Sequence, residues 1–294
     1  MARPLDWSRE GLIWPHRKAS AFVTSGGARW HIQRMGPQHE GAAPLLLIHG
    51  TGASVHSWRD VMPLLAQSHD VIAVDLPRHA FTTGHAPDAL SLPRMAGELA
   101  RLLQTLDVTP AGIIGHSAGA ALALQLALDH GYTGPIIGLN AALRPFPGIG
   151  AQLFPAVAKL FLVNPLVPRI FSGSLMRAGE TERFLKKSTG STIDAAGMAC
   201  YSALFRNPAH AKGALAMMAN WDLPGLKARM GRVSNPVLLV HSDRDAAIPL
   251  DWTREASAWL KTARLEVLPG LGHLAHEEAP EQAAALIREF LAAR

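Results

Sequence analysis

Cysteine is almost absent from this 294-residue chain, where Cys200 stands alone. One thiol closes no intramolecular disulfide and builds no cysteine-rich zinc centre, in keeping with a reducing compartment. Charge is sparse as well: 17% of residues are charged against 48% apolar, which excludes a chain too polar to bury a core. A long uninterrupted apolar run is missing too. The greasiest stretch, residues 151–171, is broken by Pro155, Lys159, Pro165 and Pro168 and makes a poor membrane span. The opening MARPLDWSREGLIWPHRKAS carries charges and two prolines where a secretory leader needs an apolar core. No leader is predicted, and cytoplasmic residence is the expectation. Repeats and low-complexity tracts are also lacking.

The formal charge is +5, and its placement matters more than its size. Between residues 141 and 222 lie nine Lys/Arg (Arg144, Lys159, Arg169, Arg177, Arg183, Lys186, Lys187, Arg206, Lys212) and four acids (Glu180, Glu182, Asp194, Asp222). The whole excess therefore sits in this stretch. A solvated helical face accounts for it most simply; an anionic ligand, an acidic partner or peripheral contact with a membrane are the alternatives. No basic stripe interleaved with aromatics appears, so nucleic acid is not expected as a partner.

Segments 21–25 and 29–35 flank Gly26-Gly27 and read as an antiparallel hairpin. A different rhythm follows. Apolar runs at 44–48, 71–74, 111–114 and 135–139 alternate at first with helical patterns at 57–67 and 92–106, the latter placing Met95, Leu99, Leu102 and Leu106 on one face. Continuous apolar strands joined by helices predict a parallel sheet covered on both sides. The alternation stops near Asn140. It resumes with a strand at 236–240, a helix at 251–260, a strand at 264–268 and a helix at 280–291. The stretch between is helical in character, with Phe154, Val157 and Phe161 on one predicted face. The expected organisation is a core in two parts, 1–140 and 223–294, with residues 141–222 inserted as a helical lid over the carboxyl edge of the sheet, where ligands bind in such folds.

Chemistry concentrates in the loops at that edge. Gly115-His116-Ser117-Ala118-Gly119 follows a short apolar strand and opens an apolar helix. Glycines permit a turn tight enough to hold Ser117 strained, with its hydroxyl at the strand tip, while the helix N-terminus offers free N–H groups to a developing oxyanion. A hydroxyl needs a base. Of fourteen histidines, His273 is the best placed, in the glycine-rich loop after the last strand. His276 is the alternative, otherwise a loop histidine facing water or the lid. A carboxylate must fix the imidazole tautomer. Asp245 and Asp243 both follow the strand at 236–240. The second half of an oxyanion hole is expected from the loop His49-Gly50-Thr51-Gly52, where Gly50 and Gly52 allow close approach. Thr51 N–H would join Ala118 N–H there, with His49 a structural hydrogen-bonder and Trp58 part of the core. Gly115 and Gly119 shape the elbow. His273-x-x-His276 lacks a third ligand, so no metal is expected. The GHSAGA segment is neither a Walker loop nor a G-x-G-x-x-G fingerprint, and no cofactor is predicted.

HGTG at 49–52, DLP at 75–77, GHSAG, the Asp245/Pro249 pair and GHLAHEEAPE at 272–281 together resemble the α/β-hydrolase superfamily over nearly the whole chain. The resemblance implies the α/β-hydrolase fold, chooses Asp245 over Asp243 by its distance from Pro249, and maps the base to His273. It implies a Ser117–Asp245–His273 triad. Serine at position 117 argues against the dehalogenase and epoxide hydrolase branches, which carry aspartate there. One departure is plain: where the family has Gly-His-Gly after D-x-P, this chain has Arg78-His79-Ala80. Within the superfamily, residues 3–17, GGARWHIQRMG and HGTGASVHSW resemble the magnesium-chelatase accessory group of bacteriochlorophyll biosynthesis, the BchO group. That resemblance implies a place at the magnesium-insertion stage of pigment synthesis and magnesium chelatase subunits as partners, but no specific reaction. Three functions are compatible with the sequence: hydrolysis of an ester or related acyl group of an apolar small molecule such as a tetrapyrrole, non-catalytic porphyrin binding, and C–C bond cleavage by the same triad.

Overall fold

A computed structural model describes residues 3–38, 43–144 and 166–293. The hairpin forms as expected, β1 (Ser20–Ser25) against β2 (Ala28–Met35), with Gly26 and Gly27 supplying φ values of 59° and 79° at its turn. Strands β3 (Leu45–Ile48), β4 (Val71–Val74), β5 (Gly112–His116), β6 (Ile136–Leu139), β7 (Val237–Ser242) and β8 (Ala263–Leu268) complete an eight-stranded sheet of order β1-β2-β4-β3-β5-β6-β7-β8. The six from β3 onward pair in parallel, while β1 and β2 extend the sheet antiparallel.

Successive residues of a strand point to opposite faces, and here both faces are covered. Leu46, Ile48, Ile113 and Leu239 face α2 (Leu92–Thr105) and α3 (Ala118–His130). Leu45, Leu47, Ile114, Leu238 and Val240 face α1 (Val61–Leu65) and the C-terminal helix Pro280–Ala292. The expected helix at 57–67 divides into a 3₁₀ turn, Val55–Trp58, and α1. Ser54 caps the 3₁₀ turn through the His56 N–H, and Pro63 provides no N–H to the turn before it. Helix α2 buries Met95, Leu99 and Leu102, as its spacing predicts, while Leu106, the fourth residue of the predicted face, is its half-buried C-cap.

Between β6 and β7 the described chain forms α4 (Val167–Ser174), α5 (Glu180–Thr189), α6 (Ala195–Phe205), α7 (Pro208–Asn220) and α8 (Leu223–Lys227). The predicted face of Phe154, Val157 and Phe161 lies outside the described residues. After β7 come α9 (Leu250–Ala258), α10 (Ala275–Glu278) and α11 (Pro280–Ala292). Among the described residues no helix is long and apolar enough to cross a membrane.

Candidate active site

Parallel strands end on one edge, so the loops after β3, β5, β6, β7 and β8 converge there. Ser117 is the first residue beyond β5 and has φ 52°, ψ −114°, a conformation costly for any residue with a side chain. Packing enforces it. A Cβ on Gly115 would lie 2.3 Å from the Gly119 carbonyl carbon, and one on Gly119 would lie 2.2 Å from the Ile48 oxygen. Strand β5, the elbow and the start of α3 can therefore close together only with glycine at both positions. The Ser117 N–H donates to the Leu139 carbonyl (2.9 Å) and its carbonyl accepts from Ala142 N–H (3.1 Å), so the elbow is tied to the end of β6 as well. Ser117 itself remains partly exposed.

The loop after β3 lies against this elbow: a Cβ on Gly50 would come within 3.0 Å of Ser117 Cβ. His49 fixes the loop from inside. Its Nδ1–H donates to the Gly50 carbonyl (2.7 Å) and its Nε2 accepts from Leu76 N–H (2.9 Å). Burial holds its pKa well below the usual histidine value, so it is a neutral brace. Among the described residues the N–H groups of Thr51 and Ala118 donate to no acceptor. Ala118 follows Ser117 directly, and Thr51 follows the Gly50 that packs against Ser117.

His273 and Asp245 meet. The imidazole Nδ1–H donates to Asp245 Oδ2 at 2.7 Å. Asp245 Oδ2 also accepts from Asn140 Nδ2 (2.9 Å), and Oδ1 accepts from the N–H groups of Ala247 and Ile248, each at 2.8 Å. Burial pushes this carboxyl up, but His273, the Ile248 N–H and Asn140 outweigh it and hold the group below its ordinary value. The result is a fixed carboxylate that sets the tautomer of His273. Asp243 is engaged elsewhere, accepting from Gly270 N–H at 2.6 Å and so shaping the glycine turn that leads to His273. Among the described residues no hydrogen bond joins Ser117 Oγ to His273. The two are linked through His116, whose Nε2–H donates to the His273 carbonyl at 2.9 Å and whose ring lies 4.8 Å from the His273 ring.

His276 does not face water or the insertion. The segment after His273 turns into α10 and carries His276 beneath Trp58 (ring centroids 4.7 Å) and against His116 (4.4 Å), where it is buried. The departure at residues 78–80 also has a definite shape. Arg78 (φ 62°) and Ala80 (φ 42°) both occupy the left-handed region that favours glycine. The His79 Nδ1–H bond to the Pro77 carbonyl (3.1 Å) and the Ala80 N–H bond to His210 Nδ1 (3.0 Å) hold the loop there.

Several residues that frame the site carried no recognisable sequence signal. Asn140 orients Asp245 from the end of β6. Glu278 accepts from Gly272 N–H (2.7 Å), Ser191 Oγ–H (2.9 Å) and Thr192 N–H (3.0 Å), while Ser191 Oγ accepts from Leu274 N–H (2.9 Å). The Thr189 carbonyl accepts from His273 N–H at 2.8 Å. The end of α5 thus clamps the backbone on both sides of His273. Farther back, buried Arg59 pairs with Glu277 and with Asp194 (2.7 Å), and Tyr201 OH donates to Glu277 (2.7 Å). His210 of α7 donates through Nε2 to the Gly52 carbonyl (3.0 Å), joining the insertion to the loop that carries Thr51. Among the described residues no cluster of three His, Cys, Asp or Glu could hold a metal ion.

The sequence model of the Alpha/beta hydrolase family matches residues 45–286. The chain is 42% identical over 282 residues to the Magnesium-chelatase 30 kDa subunit of Rhodobacter capsulatus, covering 95% of this chain and 96% of that protein. It is 26% identical to 2-hydroxymuconate semialdehyde hydrolase of Pseudomonas sp. strain CF600, covering 85% and 87% of the two chains. An alpha/beta hydrolase fold protein from Burkholderia ambifaria superposes with a TM-score of 0.75 at 20% identity, covering 98% and 99% of the two chains, a likeness of fold alone.

Proposed function

Because the chain belongs to the alpha/beta hydrolase family, we propose that it is a serine hydrolase that cleaves an ester or related acyl group of an apolar substrate. The observation that carries this reading is the buried Asp245–His273 hydrogen bond on the same sheet edge as a strained, partly exposed serine. In the proposed reaction Ser117 Oγ attacks the acyl carbon as His273 Nε2 takes its proton. Asp245 keeps Nδ1 protonated and stabilises the imidazolium. The oxyanion is held by the N–H groups of Thr51 and Ala118, and the leaving group departs with the proton from His273. Water, activated by the same imidazole, then attacks the acyl-enzyme and frees Ser117. The Ser117–His273 bond forms when substrate fills the site, since catalytic hydrogen bonds are commonly long in unliganded enzymes. Residues 141–222 act as the lid, and the polar clamp between α5 and the His273 loop couples lid position to the base.

The likeness to a magnesium-chelatase subunit directs the biological assignment. We place the protein beside magnesium chelatase in bacteriochlorophyll synthesis, with chelatase subunits as partners and a tetrapyrrole ester as the leading substrate. Its test is turnover of p-nitrophenyl esters and of porphyrin esters by wild type and Ser117→Ala. The variant should lose about 10³-fold or more of the activity. Wild-type rates in Ser117→Ala would leave porphyrin binding without bond breaking, which a micromolar protoporphyrin titration would then register. A second reading, C–C bond hydrolysis by the same groups, draws on the likeness to 2-hydroxymuconate semialdehyde hydrolase and is separated by product analysis.

A further inference from the structure

Large apolar side chains are exposed at few places on the described surface, and half of them fall in one short stretch. Leu166 (53% exposed), Ile170 (67%), Met176 (60%) and Phe184 (37%) lie on and around α4 and α5. Cations surround them: Arg169, Arg177, Arg183, Lys186 and Lys187 are all exposed. Between residues 166 and 187 the acids are Glu180 and Glu182, and Glu180 is already paired with Arg183. The inner sides of the same helices are seated, with Pro168 and Ser172 of α4 and Thr181 and Leu185 of α5 buried. The exposed residues therefore lie on the outer sides of these helices, where apolar and basic side chains are interspersed along the chain.

An aromatic cluster leads inward from this face. Phe184 meets Phe171 (ring centroids 5.5 Å) and Phe205 (5.6 Å). Phe205 in turn reaches the loop that carries Thr51, since a Cβ on Gly52 would lie 3.5 Å from Phe205 Cε1. Apolar surface thus runs from the outside of the insertion to the edge of the Ser117 site.

We propose that this face docks on an anionic lipid membrane, and that Phe184, Phe171 and Phe205 form the entrance through which an apolar substrate passes from the bilayer to Ser117. Basic side chains are drawn to the negative surface of an anionic leaflet, while exposed Ile, Leu, Met and Phe insert at the level of the headgroups. An acidic protein would satisfy the cations but not the projecting Ile170 and Met176. That asymmetry favours the bilayer. The docking half stands on the surface alone; the entrance half rests on the hydrolase reading above.

Co-sedimentation of the full chain with vesicles of phosphatidylglycerol and phosphatidylcholine, against phosphatidylcholine alone, tests the docking. Binding to the anionic vesicles should be at least tenfold stronger and should weaken with salt. Ile170→Ser with Met176→Ser, and separately Lys186→Glu with Lys187→Glu, should each reduce it about tenfold, whereas Ser117→Ala should bind as wild type. Equal binding to both vesicles, no binding, or wild-type binding by the Ile170/Met176 double variant would overturn the docking. For the entrance, the same double variant should lose about tenfold in turnover of an ester dissolved in vesicles while hydrolysing a short water-soluble ester at the wild-type rate. Equal rates on the vesicle-borne ester would overturn it. Loss of hydrolysis in Ser117→Ala with binding intact separates the two claims.

Discussion

The sheet and the insertion are held by different forces. Strands β3 to β7 are apolar on both faces and almost wholly buried, so the core is stabilised by area removed from water. The insertion contributes Leu185, Leu204 and Met217 to that core, but at the site its attachment is polar. Glu278 with Ser191, His210 with Gly52 and Ala80, and Arg59 with Glu277 and Asp194 form the seam. Apolar burial is tolerant of small shifts, whereas buried polar contacts are directional and lose their value when one partner is displaced. A rigid floor carrying Ser117 thus meets a directional seam that positions His273.

Acid should break this contrast most strongly. Burial holds His79 and His85 at about 4 and His116 and His210 at about 3, and also depresses His49, His56 and His276. These groups stay neutral in the folded protein but take up protons near pH 6.5 once unfolded. Their contribution is complete above about pH 6.5 and is lost as the pH falls towards their folded values. Glu277, raised to about 7 by burial against the pull of Arg59 and Tyr201, acts in the opposite direction but is one group against several. Urea unfolding at pH 7 and pH 5 should show a loss of several kcal/mol. A flat profile would mean that these histidines are not buried neutral.

Glu278→Gln addresses the seam alone. The amide leaves only one oxygen to accept from Gly272, Ser191 and Thr192, so the His273 loop should loosen. We expect a loss of about 2 kcal/mol in stability and, if the clamp positions the base, a drop of about tenfold in reaction with a fluorophosphonate. Stability loss without the kinetic effect would reduce Glu278 to a structural role. A smaller effect, of opposite sign, is expected in the loop beneath α7. Ala80→Gly relieves a residue at φ 42° and should raise stability by up to about 1 kcal/mol, read as a shift in thermal midpoint. Destabilisation would show that the loop's other contacts had already absorbed the strain.

The floor was far more legible in the sequence than the seam. The apolar runs located every parallel strand, and the Gly115–Gly119 pattern announced the elbow, because glycine is demanded there by backbone contacts at 2.2–2.4 Å. The family resemblance mapped the candidate base to His273 and, through its Asp–Pro spacing, preferred Asp245 to Asp243; the two side chains meet by a hydrogen bond in the loops after β7 and β8. Arg78 and Ala80 carried no sign of their left-handed conformation, which tertiary contacts from α7 impose: a Cβ on Gly213 would strike the Arg78 carbonyl at 2.3 Å. Ser191, His210 and Glu278 were hidden for a related reason. Glu278 meets Ser191 and Thr192, and His210 meets Gly52 and Ala80, across long stretches of chain, and periodicity registers apolar faces rather than single polar contacts. His276 looked like a loop residue until α10 turned it under Trp58.

Reaction with a fluorophosphonate, followed by mass mapping of the adduct, decides whether Ser117 is an activated nucleophile. One phosphonyl group should appear on Ser117, formed in wild type, abolished in Ser117→Ala and slowed at least 10²-fold in His273→Ala. An unlabelled wild-type protein, or a label on another residue that persists in Ser117→Ala, would contradict that role.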